Sequence, residues 1–229
     1  MGIGKTVVYY GSSEGHPLEM SMTKPEPLFK SLKRHFKENE LEGILQCPAL
    51  AASTHNTYVI NAPVDLKIVL KGSGAAYSYA TTRKGDDFEL GKWNTKEGKN
   101  VAQWLGDGFI TFFAEESTIL TSTPPYLHTN KIYGISGSFD IGRWFRSLSF
   151  ASRYSEPIVI KEGEPMLYIR FDKPVELKRV TITEELRKHV KACLDFKGPH
   201  RNKPLSYMYE KFVQSKKRLK VLKLLREQL

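Results

Sequence analysis

Gly134 to Phe171 reads GISGSFDIGRWFRSLSFASRYSEPIVIKEGEPMLYIRF, and the fold follows from how this stretch is parsed. Gly137 and Gly142 punctuate a tight loop that carries Asp140, Arg143, Trp144 and Arg146. Glycine supplies backbone conformations that other residues avoid, and a short Asp side chain stabilises a turn through its own backbone. Two short apolar segments follow, divided by the turn Glu162-Gly163-Glu164-Pro165. Apolar runs of this length between turn signals predict strands.

The same signal extends toward the N-terminus. Thr57 to Ile60 and Val64 to Leu70 are separated by Asn61-Ala62-Pro63, and Val64, Leu66 and Ile68 alternate with Asp65 and Lys67. That period of two predicts a half-buried strand. Ala76 to Thr82 continues the pattern, and Phe109 to Phe113 is the most apolar strand in the chain. Residues 83–108 carry five glycines among charges, with Trp93 and Trp104 as anchors, and read as an elaborated loop over the core. The adjacent Glu115 and Glu116 read as a solvated turn, because neighbours on a strand face opposite ways and make a poor acid/base pair. A short helix is predicted near 28–37 from Leu28, Leu32 and Phe36, with Pro27 suited to its first turn.

Beyond Val175 to Val180 the period changes. Thr183 is a helix N-cap, Glu184 and Glu185 suit the positive end of the helix dipole, and Leu186, Val190 and Cys193 or Leu194 form an apolar face. Gly198-Pro199 stops that helix. A second is expected from about Pro204, with Met208, Phe212, Leu219, Leu222 and Leu229 along one stripe. The chain is therefore expected to be mainly β. A β-sandwich or clip-like β-core over residues 1–182 precedes two C-terminal α-helices over 183–229.

Charge divides at the same boundary. Residues 183–229 hold thirteen Lys or Arg against five Asp or Glu, a net of +8, whereas the other 182 residues carry a net of +2. A basic helical segment attracts nucleic acid or acidic protein surfaces. Lys216, Lys217, Lys220 and Lys223 are the candidate polyanion or partner contacts, and other proteins, or nucleic acid through these helices, are the expected partners. No apolar run is long enough to span a bilayer, so no membrane is expected.

Signs of catalysis are few. Gly4-Lys5-Thr6 copies the end of a phosphate-binding loop but lacks its earlier glycine and preceding strand. No G-x-S-x-G elbow or dinucleotide fingerprint is present. The six histidines form no H-x-H, H-x-x-x-H or H-x-D pair, and Cys47 and Cys193 lie far apart, so no metal and no cofactor is expected. Asp140, Arg143 and Arg146 have two readings: a ligand-binding loop, or a turn capped by Asp140 with an arginine paired to it or to Glu162.

The segment Gly137 to Arg146, with Glu162 to Phe171, resembles an uncharacterised protein family of large tailed bacteriophages, including those of marine cyanobacteria. Cys47-Pro48-Ala49, Asn56 to Ile60 and Pro63 to Leu66 are similar to the first half of that family. The resemblance implies a non-enzymatic phage protein, either a virion component or a factor of assembly or host takeover, acting in the virion or the host cytoplasm. It supplies no catalytic residue. A second pattern resembles the β-clip of dUTPases and dCTP deaminases, which implies a nucleotide-handling alternative. Gly137, Phe139, Asp140 and Gly142 fit its sugar loop, and Gly163 with Met166 to Phe171 fits its following strand. Arg143 stands where that loop has an aromatic residue, and no Arg-Ser-Gly phosphate motif is present.

Overall fold

Two sheets lie face to face, and helices cover the outer side of each. The computed structural model describes residues 4–15, 23–71, 76–80, 87–90, 101–105, 110–128, 133–134, 136–153, 158–194 and 203–229. The strands of the first half are β1 (Thr6–Gly11), β2 (Glu26–Pro27), β3 (Thr57–Asn61), β4 (Leu66–Lys71), β5 (Ala76–Ala80), β6 (Asp87–Leu90), β7 (Val101–Leu105) and β8 (Thr111–Ala114). Those of the second are β9 (Ile119–Thr123), β10 (Tyr133–Gly134), β11 (Gly137–Asp140), β12 (Arg146–Ser147), β13 (Ser149–Arg153), β14 (Ile158–Ile160), β15 (Pro165–Phe171) and β16 (Val175–Arg179). The helices are α1 (Leu28–Glu38), α2 (Pro48–Ser53), α3 (Glu184–Leu194), α4 (Leu205–Gln214) and α5 (Lys217–Arg226), with a 3-10 turn at Glu42–Gln46.

One sheet of the sandwich has the order β12-β8-β1-β16, and the facing sheet has the order β11-β9-β15-β3-β2. Their inner faces share one core, to which Val8, Tyr10, Phe112 and Ala114 contribute from the first sheet and Ile60, Leu120, Leu167 and Ile169 from the second. The alternate residues point outward. Tyr9 and Phe113 pack with Trp144, Phe145, Phe212, Val221 and Leu225 beneath the C-terminal helices. On the far side, Val59 and Tyr168 pack with Leu28, Leu32 and Phe36 of α1. The molecule is thus helix, sheet, sheet, helix. This explains why Phe109 to Phe113 reads as the most apolar strand: β8 is buried on both faces, so its hydrophobic run is continuous. Among the described residues there are two further sheets, β10-β13-β7 and β14-β4-β5-β6, and an isolated parallel bridge between Ser13 and Ile182.

The β-core followed by C-terminal helices is the architecture predicted from the period change. Thr183 caps α3 as expected, its Oγ1 accepting the Leu186 N–H at 3.3 Å. Three details differ. The segment read as an elaborated loop contains β6 and β7, with Trp104 in register with Phe150; Trp93 lies outside the described residues. Glycine and charge there masked two strands that show little alternation.

The second C-terminal helix is broken in two, because Lys216 adopts a left-handed conformation with φ 57° between α4 and α5. The break resets the helical phase, which overturns the single stripe. Leu219 and Leu229 are each 65% exposed, while Val221, Leu222 and Leu225 are buried. Finally, Glu116 is exposed as expected of a solvated turn, whereas Glu115 is half-buried and bonded to Tyr9 and Arg226.

Candidate functional site

The loop that the sequence singles out is the seat of the C-terminal helices. Asp140 ends β11 with its carboxylate buried, accepting hydrogen bonds from Ser117 Oγ at 2.6 Å, Thr118 N–H at 3.2 Å and Gly142 N–H at 3.0 Å. Arg143 pairs with the same carboxylate at 3.2 Å while remaining largely exposed. Acceptors satisfied by the chain's own donors hold the turn rigid. Arg146 lies on β12, its backbone paired with Phe112; its side chain lies outside the described residues. Gly142 is required where it is, since a Cβ there would stand 2.0 Å from the Glu116 carbonyl oxygen.

Helices α4 and α5 close over this turn. Tyr209 Oη accepts the Asp140 N–H at 3.0 Å, and Phe212 meets Phe113 edge-on at 6.2 Å and Trp144 at 6.0 Å. Arg218 donates to the carbonyls of Gly142, at 2.6 Å, and Glu115, and its guanidinium lies over Phe113. Arg226 donates to the Glu115 carboxylate at 2.8 Å, which also accepts the Tyr9 hydroxyl at 2.6 Å. Arg226 holds Glu115 below the usual carboxylate range, whereas burial, reinforced by Glu115, pushes Tyr9 up to about 12. Gln228 completes the attachment by bonding both the N–H and the carbonyl of Thr181.

The lysines of α5, and Lys216 just before it, do none of this. Lys216, Lys217, Lys220 and Lys223 are all exposed, and the first three form no ion pair among the described residues. Lys223 approaches Glu227 at 3.7 Å on the surface. The division by residue type has a physical basis: a planar guanidinium bonds two carbonyls at once, while an ammonium is strongly hydrated and stays in water.

A second feature lies on the opposite side of the sandwich. A surface cleft of about 1030 Å³ runs between α1, the 162–164 turn and β16. Ser31 of α1 and His128 line it, and with Tyr168 of β15 they form one hydrogen-bonded chain, with Ser31 Oγ 3.2 Å from His128 Nε2 and Tyr168 Oη bonded to His128 Nδ1. The His35 ring lies 4.7 Å from that of His128. Burial, then the neighbouring His35, lowers His128 to about 4, so the imidazole is neutral near pH 7. A neutral imidazole donates from one nitrogen and accepts at the other, so the chain carries a proton at each link. Burial likewise raises Tyr168 above its ordinary value.

Ser31 is only 1% exposed, so the arrangement ties α1 to the sheet rather than presenting a nucleophile. None of this is legible in the sequence, because Ser31 and His128 are 97 positions apart and His128 and Tyr168 are 40 apart. Among the described residues no group of three or more His, Cys, Asp or Glu could hold a metal ion, and no helix is long and apolar enough to cross a membrane. No protein-family model, curated protein or solved structure matches this chain.

Proposed function

We propose that this chain is a non-enzymatic binding protein whose contact surface is the lysine face of α5. On this reading it serves a tailed phage, as a virion component or as a factor of assembly or host takeover. The observation that supports it is the split along α5 and the residue that precedes it. Arg218 and Arg226 are spent on docking, while Lys216, Lys217, Lys220 and Lys223 remain exposed. Four hydrated charges on a docked, rigid element suit a polyanion or an acidic protein face, since they meet it without first ordering a flexible tail.

The test replaces the four lysines with Gln and uses duplex DNA as the polyanion probe. The variant is expected to bind more weakly, with a salt dependence shallower by roughly three to four in logarithmic slope. Unchanged affinity and slope would remove the lysine face from the reading. Mass spectrometry of purified virions tests the biological setting, since the protein's presence there separates a virion component from an intracellular factor.

A further inference from the structure

We infer that the partner of the lysine face is a second copy of this chain, whose acidic lobe at residues 38–53 docks on α5 head to tail. The inference rests on the lysine face being a contact surface and names what meets it. Residues 38–53 run ENELEGILQCPALAAS, with Glu38, Glu40 and Glu42 and no Lys or Arg. They take in the end of α1, the 3-10 turn and α2. Neither the turn nor α2 contains a buried residue, and Leu45 and Leu50 rest against the α1 cluster. All three glutamates are exposed. So are Leu41, at 46%, and Ile44, at 45%. The lobe thus offers water two large apolar side chains set among acids.

The lysine face matches this lobe in apolar character as well as in charge. Leu219 is 65% exposed, and Val213 is 44% exposed just before the break at Lys216. Residues three and four apart are neighbours on a helix, so Leu219 lies beside Lys223, and Lys220 lies beside Lys217 and Lys223. A nucleic-acid backbone would engage the lysines and leave Leu219 in water. A protein surface uses both, with apolar contacts at the centre and complementary charge around them. Membrane binding needs a free apolar helix face, and that of α5 (Val221, Leu222 and Leu225) is already buried in the fold.

The two surfaces lie on opposite sides of the sandwich. The lobe follows α1, which packs on Val59 and Tyr168, whereas α5 packs with Tyr9 and Phe113 of the other sheet. One molecule therefore cannot bring its own lobe to its own α5. Nor can two molecules exchange both contacts across a single two-fold interface. The contact runs head to tail, and repeated contacts of that kind close into rings or extend into filaments. The lobe is smaller than the roughly 20–30 residues that a standard interface uses on each side, so one contact is weak and assembly builds up with concentration.

Sedimentation velocity of the full-length protein over a series of concentrations is the test. The parent chain is expected to grow past the dimer as concentration rises. One variant reverses the lobe (Glu38→Lys, Glu40→Lys, Glu42→Lys) and another the lysine face (Lys216→Glu, Lys217→Glu, Lys220→Glu, Lys223→Glu). Each is expected to stay monomeric alone, because it carries one sign on both surfaces. Mixed in equal amounts they are expected to assemble again, since every lobe then meets a face of opposite sign. Leu219→Ser keeps every charge and alters only an exposed side chain, so it tests the contact without endangering the fold; association is expected to weaken about tenfold. A parent chain that is monomeric at every concentration overturns the proposal. So does assembly that survives either reversal or Leu219→Ser, or a mixture of the two reversed variants that stays monomeric. Duplex DNA separates the inference from the reading beneath it. A monomeric parent whose DNA affinity falls when the four lysines become Gln sinks self-docking and leaves the lysine face a contact. Assembly and DNA affinity that both ignore those lysines sink the two together.

Discussion

The seat of the C-terminal helices and the α1 cleft sit on opposite outer faces of the same sandwich, and they are built from different materials. The seat is aromatic and closed: Trp144, Phe145 and Phe212 are buried, and Asp140 is satisfied by four donors of its own chain. The cleft is polar and open: a neutral imidazole links a hydroxyl to a phenol beneath a space bordered by charges of both signs. Glycine, tryptophan and paired charge at conspicuous spacing therefore mark where this chain is held together. The place with room for a ligand is marked by an unremarkable serine and two scattered histidines.

The comparison is easiest to break at the seat. Phe145→Ala removes a side chain that is 2% exposed and stacked on Phe113 at 5.5 Å. Chemical denaturation is expected to show a loss of about 3–5 kcal/mol, the transfer and cavity cost of a buried ring. A loss under about 1 kcal/mol would mean that the helices contribute little to the fold. Gly142→Ala comes next. Its Cβ would collide with the backbone at Glu116 rather than with a flexible side chain, so a loss of about 1–3 kcal/mol is expected from overpacking.

The cleft is expected to answer to pH. His128 titrates near 6.5 in the unfolded chain and at about 4 in the fold, so between those values the unfolded chain binds the extra proton. The contribution is complete above pH 6.5 and is lost as pH falls toward 4. Because the ring is partly exposed, solvent screening reduces the loss to something on the order of 1 kcal/mol. Stability measured across this window is expected to fall less steeply in His128→Gln than in the parent chain. Equal slopes would place the pH response elsewhere. The smallest effect belongs to the lysine face: replacing Lys216, Lys217, Lys220 and Lys223 with Gln is expected to shift stability by less than about 0.5 kcal/mol. Unfolding of that variant would show the four charges to be structural.

The turn at Gly142, the cap at Thr183 and the strands at Thr57–Asn61 and Val175–Arg179 could be read directly from the residues. Each depends on contacts a few positions apart, and local chemistry reaches that far. Strands β6 and β7 were hidden because they lie among glycines and charges, where a period of two is faint. The stripe of Met208, Phe212, Leu219, Leu222 and Leu229 failed for a sharper reason. One left-handed residue, Lys216, resets the helical phase, and no glycine or asparagine announces it.

Composition, periodicity and charge were sufficient for the sequence alone to determine a β-core, helices after residue 183 and a basic C-terminal segment, since these are properties of segments. The tertiary structure alone decided that arginines dock α5 while lysines face water, that Glu115 is an anchor, and that Ser31, His128 and Tyr168 share one hydrogen-bonded chain. Those relations join residues 40 to 111 positions apart. They exist only once two sheets have stacked and brought distant side chains within bonding distance.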